Sequence, residues 1–254
     1  MGAGHSHALY VHEHSVVHRL DPAVKVVAAF GSVVAIAITP REALVAFGIY
    51  ALTIAALTRV ARIPARFVVI RLVGIAPFVL FALLIPFVAD GPTSRVLGME
   101  LSVDGLWAMW NILAKATLGA AVTIVLTATT EVADIIGALG RLRVPALFTA
   151  IASFMMRYLE LTADELRRMR VAMTARGYDP RWLTQAKPIA TSAGALFVRS
   201  YERGERVHAA MIARGFTGEM PALDTRTAGG AQWAGGIGLV GLFMTVAIAA
   251  LLSA

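Results

Sequence analysis

The stretch Phe67–Ala89 carries a single charge, Arg71, and is otherwise apolar. About 20 such residues in an α-helix match the ~30 Å hydrocarbon core of a bilayer. In lipid every backbone N–H and C=O has to be paired, which leaves only helices and closed barrels. Continuous apolarity, without strand-like alternation, selects helices. Four more apolar segments accompany it: Ala23–Ile38, Ala43–Leu57, Leu106–Thr130 and Trp233–Leu252. The sequence therefore predicts an all-α integral membrane protein with about five transmembrane helices. The first two segments are short for a span and have to extend or tilt. Pro40, in Thr39-Pro40-Arg41-Glu42, stops the first. Pro77 and Pro86 predict a kink in the third.

Composition agrees. Of 254 residues, 58% are hydrophobic and 15% charged, against roughly 25% charged in soluble domains. Mean hydropathy is +0.72. The absence of cysteine excludes disulfide frameworks, thiolate metal sites and cysteine nucleophiles. Residues 1–22 are polar and His-rich and lack the apolar core of a cleavable signal.

The net charge of +7 is distributed with a direction, which favours membrane topology over nucleic-acid binding as its cause. With five spans, Arg19 and Lys25, then Arg59, Arg62 and Arg66, then the basic residues of 131–230 all fall on one side. Arg41 and Arg95 fall on the other. The positive side faces the cytoplasm. The expected organisation is a cytoplasmic His-rich segment (1–22), four spans (23–130), a cytoplasmic domain of long amphipathic helices (131–230) and a last span (231–254) ending outside. The run Ile189–Val198 is too short to cross a bilayer.

That cytoplasmic domain contains a repeat. Ala172-Met173-Thr174-Ala175-Arg176-Gly177-Tyr178 is matched 38 residues later by Ala210-Met211-Ile212-Ala213-Arg214-Gly215-Phe216. The match extends upstream in helical phase. Met169, Ala172 and Met173 precede Arg176 as Val207, Ala210 and Met211 precede Arg214, on one helical face. Each glycine stands where a helix C-terminus favours a left-handed residue. One Arg-Gly end is an ordinary cap; two matched copies read as two equivalent docking knobs for two similar receptors. Acid–base pairs such as Glu165/Arg168 and Glu202/Arg206 are placed to support the other faces.

These paired motifs resemble the Ala-Arg-Gly signatures of the transmembrane T component of energy-coupling-factor (ECF) transporters. His18-Arg19-Leu20-Asp21-Pro22 with Lys25 resembles the entry to the first span in its cobalt-type, CbiQ-like branch. Met156-Arg157-Tyr158, Glu165 and Arg168-Met169-Arg170 resemble the first coupling helix. Arg199-Ser200, Glu202-Arg203 and Glu205-Arg206-Val207 resemble the second. Ala23 and His208 depart from the pattern without touching the triplets. The likeness covers nearly the whole chain.

The resemblance implies a non-catalytic coupling subunit of an ABC importer in the bacterial inner membrane. Its partners would be two ABC ATPase subunits, a substrate-binding membrane subunit (the S component, cobalt-type) and the lipid bilayer, with no nucleic acid. Ala175, Arg176, Gly177, Ala213, Arg214 and Gly215 would dock the ATPases. Met169, Ala172, Met173, Val207, Ala210 and Met211 would form the coupling-helix stripe. ATP and Mg would bind the partner ATPases, and no cofactor is expected on this chain. No P-loop pattern occurs in it. Cobalt is the implied cargo, with nickel or a vitamin as the alternative. An embedded enzyme would need convergent ionisable groups in the spans, which nearly lack them. An ordinary permease would usually present one coupling element, not two.

Lesser features have structural readings. His5, His7, His12 and His14 are weak candidates for a metal; their spacing defines no closed site. Lys115 and Arg71 lie within reach of headgroups by snorkelling. Pro145 fits the first turn of a helix.

Overall fold

The computed structural model describes residues 10–11, 13, 15–89, 92–96, 99–179, 186–218 and 228–253. The helices in chain order are α1 (Val16–Arg19), α2 (Pro22–Ile38), α3 (Leu44–Val60), α4 (Ala65–Leu72), α5 (Ala76–Val88), α6 (Val103–Thr129), α7 (Val132–Arg141), α8 (Ala146–Ala175), α9 (Lys187–Ala213) and α10 (Gly230–Leu252). The chain forms two compact units, Met1–Ala138 with Arg226–Ala254, and Leu139–Thr225.

In the first unit, Ala65–Val88, Val103–Thr129 and Gly230–Leu252 are long and apolar enough to cross a membrane. α2 and α3 have 17 residues each, about 25 Å of helix. They share one core with α6 and α10, built from Ile36, Phe47, Tyr50, Leu118, Val122, Phe243 and Ala247. Leu52, Phe81 and Leu251 point outward and are exposed, as lipid-facing residues of a membrane protein are.

Apolar cores in lipid gain little from the hydrophobic effect, so close packing and buried hydrogen bonds carry the association. Tyr50 has no exposed surface. Its ring stacks on Phe243 with centroids 4.7 Å apart. Its hydroxyl donates to the Phe243 carbonyl at 3.1 Å and meets the Thr39 hydroxyl at 3.1 Å. This joins α3 to α10 and to the end of α2. Gly31 lets α2 approach α10, since a Cβ there would lie 2.7 Å from a Val240 methyl.

The third span is interrupted just ahead of Pro77, while α5 continues through Pro86. A 3₁₀ turn, Val73–Ile75, separates α4 from α5. Pro77 lacks the N–H that would bond one helical turn back, and the chain tightens at that turn. Opposite Pro86 stands Gly105 of α6, where a Cβ would fall 2.7 Å from the Pro86 Cα.

Two findings differ from the sequence reading. A two-stranded antiparallel hairpin, β1 (Thr93–Val96) and β2 (Met99–Ser102), joins α5 to α6, pairing Thr93 with Ser102 and Val96 with Met99. Lys115 does not simply reach for headgroups. Its ammonium donates to the Ala37 carbonyl at 2.7 Å, one of the last-turn carbonyls of α2 that no helical N–H reaches. Arg71 lies over the Phe67 ring, 3.6 Å from its centroid.

Candidate functional site

The second unit is built on α8 and α9, and both end in the same way. Arg176 closes α8 at φ −89°, ψ 12°, and Arg214 closes α9 at φ −95°, ψ 9°. Gly177 and Gly215 follow with φ of +79° and +82°. The Gly177 N–H donates to the Thr174 carbonyl at 2.9 Å and the Tyr178 N–H to Met173 at 3.1 Å. The Gly215 N–H donates to Ile212 at 2.9 Å and the Phe216 N–H to Met211 at 3.0 Å. This is the Schellman closure, made around a left-handed glycine. The sequence repeat is thus a repeat of backbone geometry.

Ala175, Arg176, Gly177, Ala213, Arg214 and Gly215 are all exposed. Neither guanidinium is ion-paired among the described residues. The stripe leading to them divides. Met169, Met173, Val207 and Met211 are half-buried, whereas Ala172 and Ala210 are open. Each helix therefore anchors itself by its long apolar residues and leaves a slim Ala-Arg-Gly tip free.

Contacts between α8 and α9 run in opposite chain directions. The Ser192 hydroxyl donates to the Met173 sulfur at 3.4 Å, near the end of α8. At the other end, Phe154, Tyr158, Val207, Met211 and Phe216 line a largely apolar cleft of ≈ 270 Å³. The two tips consequently lie at opposite ends of the pair. Between Ser192, beside the α8 tip, and Arg214 run ~33 Å of helix.

Glu165 fastens the two helices. It is buried, and its carboxylate accepts from Arg203 at 3.0 Å and Arg199 at 3.1 Å. Sequence reasoning paired Glu165 with Arg168 instead. Both of its true partners stand on α9, more than 30 residues away, and nothing local signals them. Glu202 and Arg206 do pair, at 3.8 Å on an exposed face.

The hydrogen bonds from Arg203 and Arg199 hold the Glu165 carboxyl below the usual carboxylate range. A group with a depressed folded pKa contributes stability above its unfolded pKa and loses it as pH falls through the folded value. The clamp is therefore complete at neutral pH and opens only in acid, below the ordinary carboxylate range. Spin labels at Ala175 and Ala213 should keep one distance from about pH 7 to about pH 5 and spread in stronger acid, and Glu165→Gln should remove that dependence.

The His18-to-Lys25 motif forms a polar hub in the first unit. Asp21 caps α2, accepting from the Ala23 N–H at 2.7 Å, with Pro22 in the first turn. Buried Lys25 donates to the carbonyls of His18 at 3.3 Å and Thr129 at 2.8 Å, at the ends of α1 and α6. The His18 ring bridges Ser15 Oγ at 2.8 Å and the Val11 carbonyl at 3.1 Å. Burial holds the His18 imidazole below its ordinary pKa. These residues tie the entry segment to α6.

No group of side chains suited to a metal ion occurs among the described residues. His5, His7, His12 and His14 lie outside them. Pro145 stands one position before α8, as its N-cap residue.

Residues 13–223 match the model of a family described as cobalt transport protein, CbiQ. Over 106 residues the chain is 36% identical to the cobalt transport protein CbiQ of Rhodobacter capsulatus, covering 41% of this chain and 42% of that one. Over 154 residues it is 25% identical to an uncharacterized protein of Methanocaldococcus jannaschii, covering 60% and 57% respectively. The matched stretches span less than two thirds of either relative.

Proposed function

The chain belongs to the CbiQ family of cobalt transport proteins, and from that membership we propose that it is the non-catalytic coupling subunit of an ECF-type ABC importer. The observation that carries this reading is the pair of matched helix tips at opposite ends of α8 and α9. Two equal knobs need two equal receptors, and two ABC ATPase subunits supply them. Arg176 and Arg214 each enter a groove on one ATPase, where a planar guanidinium makes several hydrogen bonds at once. Ala175, Ala213 and the two glycines keep each tip narrow. ATP and Mg belong to those partners.

Closure of the ATPases on ATP displaces the tips. Because Glu165 ties α8 to α9, both helices respond together. They pass the motion to a separate substrate-binding membrane subunit, which rests on the open apolar residues of α8, Ile151, Met155 and Leu159. The distribution of the basic residues supports the reading that the N-terminus and the coupling unit face the cytoplasm of a bacterial cell, with the C-terminus outside the inner membrane.

Family membership favours cobalt as cargo, with nickel or a vitamin as the alternative. The test is ATP-dependent uptake of labelled cobalt by cells co-expressing this chain with its native ATPases and substrate-binding subunit. The expected result is cobalt uptake, reduced by excess nickel. Uptake of neither metal, with the ATPases still co-purifying, would keep the coupling role and move the cargo to a vitamin.

A further inference from the structure

Arg62 and Arg143 are the non-glycine residues with left-handed backbones among those described, at φ 57° and 64°. They occupy twin corners. Arg62-Ile63-Pro64-Ala65-Arg66-Phe67 parallels Arg143-Val144-Pro145-Ala146-Leu147-Phe148. At the first, the Arg62 N–H donates to the Arg59 carbonyl at 3.0 Å and the Ile63 N–H to Thr58 at 3.1 Å. At the second, the Arg143 N–H donates to Gly140 and the Val144 N–H to Leu139, both at 3.1 Å. In each case proline then caps the next helix. The same closure at Arg176 and Arg214 is made by glycine, the residue such a position favours.

The corner between α3 and α4 adds a second local conflict. Arg66 stands in the first turn of α4, where the helix dipole opposes a cation and favours an anion. No acidic residue occurs anywhere from Ala43 to Ala89. Arg59, Arg62 and Arg66 are exposed, while Ala61 and Ile63 between them are buried against Ala128. Three guanidiniums are thus mounted on a fixed base where one span ends and the next begins. Two of the three stand where local energetics disfavour arginine, and none of the three is ion-paired among the described residues.

We propose that the α3–α4 corner is a binding site for the phosphodiester headgroup of an anionic phospholipid in the cytoplasmic leaflet. Its place at the mouth of two apolar helices selects a lipid over a free phosphate, because the acyl chains of a bound lipid continue along the exposed apolar flank of α4, at Val69 and Ile70. Juxtamembrane arginines each strengthen such attraction. The inference rests on the membrane placement of α3 and α4 and is independent of the ATPase reading.

The experiment is native mass spectrometry of the full chain in nonionic detergent, offered phosphatidylglycerol or phosphatidylcholine with identical acyl chains. The native protein should retain phosphatidylglycerol preferentially. Arg62→Gly should weaken that retention about fivefold without lowering the melting temperature, since glycine relieves the left-handed backbone. Arg66→Gln should weaken it similarly. Equal retention of the two lipids, or unchanged retention by both variants, would overturn the proposal. So would displacement of the lipid by millimolar inorganic phosphate, which would mark a free-phosphate site.

Discussion

Arg176→Glu combined with Arg214→Glu is expected to abolish co-purification of the ATPase subunits, while either reversal alone leaves measurable binding. The folded unit should survive. Both arginines are exposed, and the closures depend on the following glycines. A carboxylate at a helix C-terminus is disfavoured by only ~0.3–1 kcal/mol. At the proposed interface the expected effect is larger, because a buried partner group would lose its cation and meet an anion. Truncating one member of a buried, hydrogen-bonded charge pair costs roughly 2–5 kcal/mol, and each ~1.4 kcal/mol is tenfold in affinity. A single reversal leaves the second tip engaged, and a two-point attachment degrades in steps. Recovery of ATPase at the native level by the double variant would remove the docking role.

The second large effect is at Lys25. Lys25→Met fills nearly the same volume and removes both hydrogen bonds, leaving the buried Thr129 carbonyl and the His18 carbonyl without their donor. The expected loss is roughly 2–4 kcal/mol, measured by thermal unfolding in detergent. Lys25→Arg keeps the charge and should recover part of it. The loss should also free the entry segment, whose Val11 N–H donates to the Ala128 carbonyl at 3.0 Å. Faster proteolysis near Tyr10 would report that release. A Lys25→Met protein as stable as the native one would show that the hub does not hold these helix ends together.

The parts legible in the sequence are those set by local physics. The span from Phe67 to Ala89 follows from apolar length, and its 3₁₀ interruption from Pro77. The two tips follow from a glycine placed after a helical face. Membership of the cobalt transport family was legible in the same motifs, and the family match over residues 13–223 bears it out. What escaped was set by contacts distant in sequence. Glu165 has Arg168 one turn away, but the fold brings it Arg199 and Arg203. Lys115 sits in an apolar segment with nothing local to show that Ala37 waits at the end of α2. The hairpin after α5 is short and carries no alternation strong enough to announce it. The twin corners at Arg62 and Arg143 are sequence repeats too, but a left-handed arginine cannot be recognised until its φ is seen.

If each tip contacts its own ATPase, cross-linking from the tips reports it directly. The chain has no cysteine, so Ala175→Cys and Ala213→Cys each introduce a unique thiol beside an arginine. In membranes containing the complete importer, a short thiol–amine cross-linker should join each single variant to one ATPase subunit. The double variant should yield a product carrying two. Absence of ATPase adducts from both positions, or adducts that persist unchanged when Arg176 and Arg214 are reversed, would contradict the account.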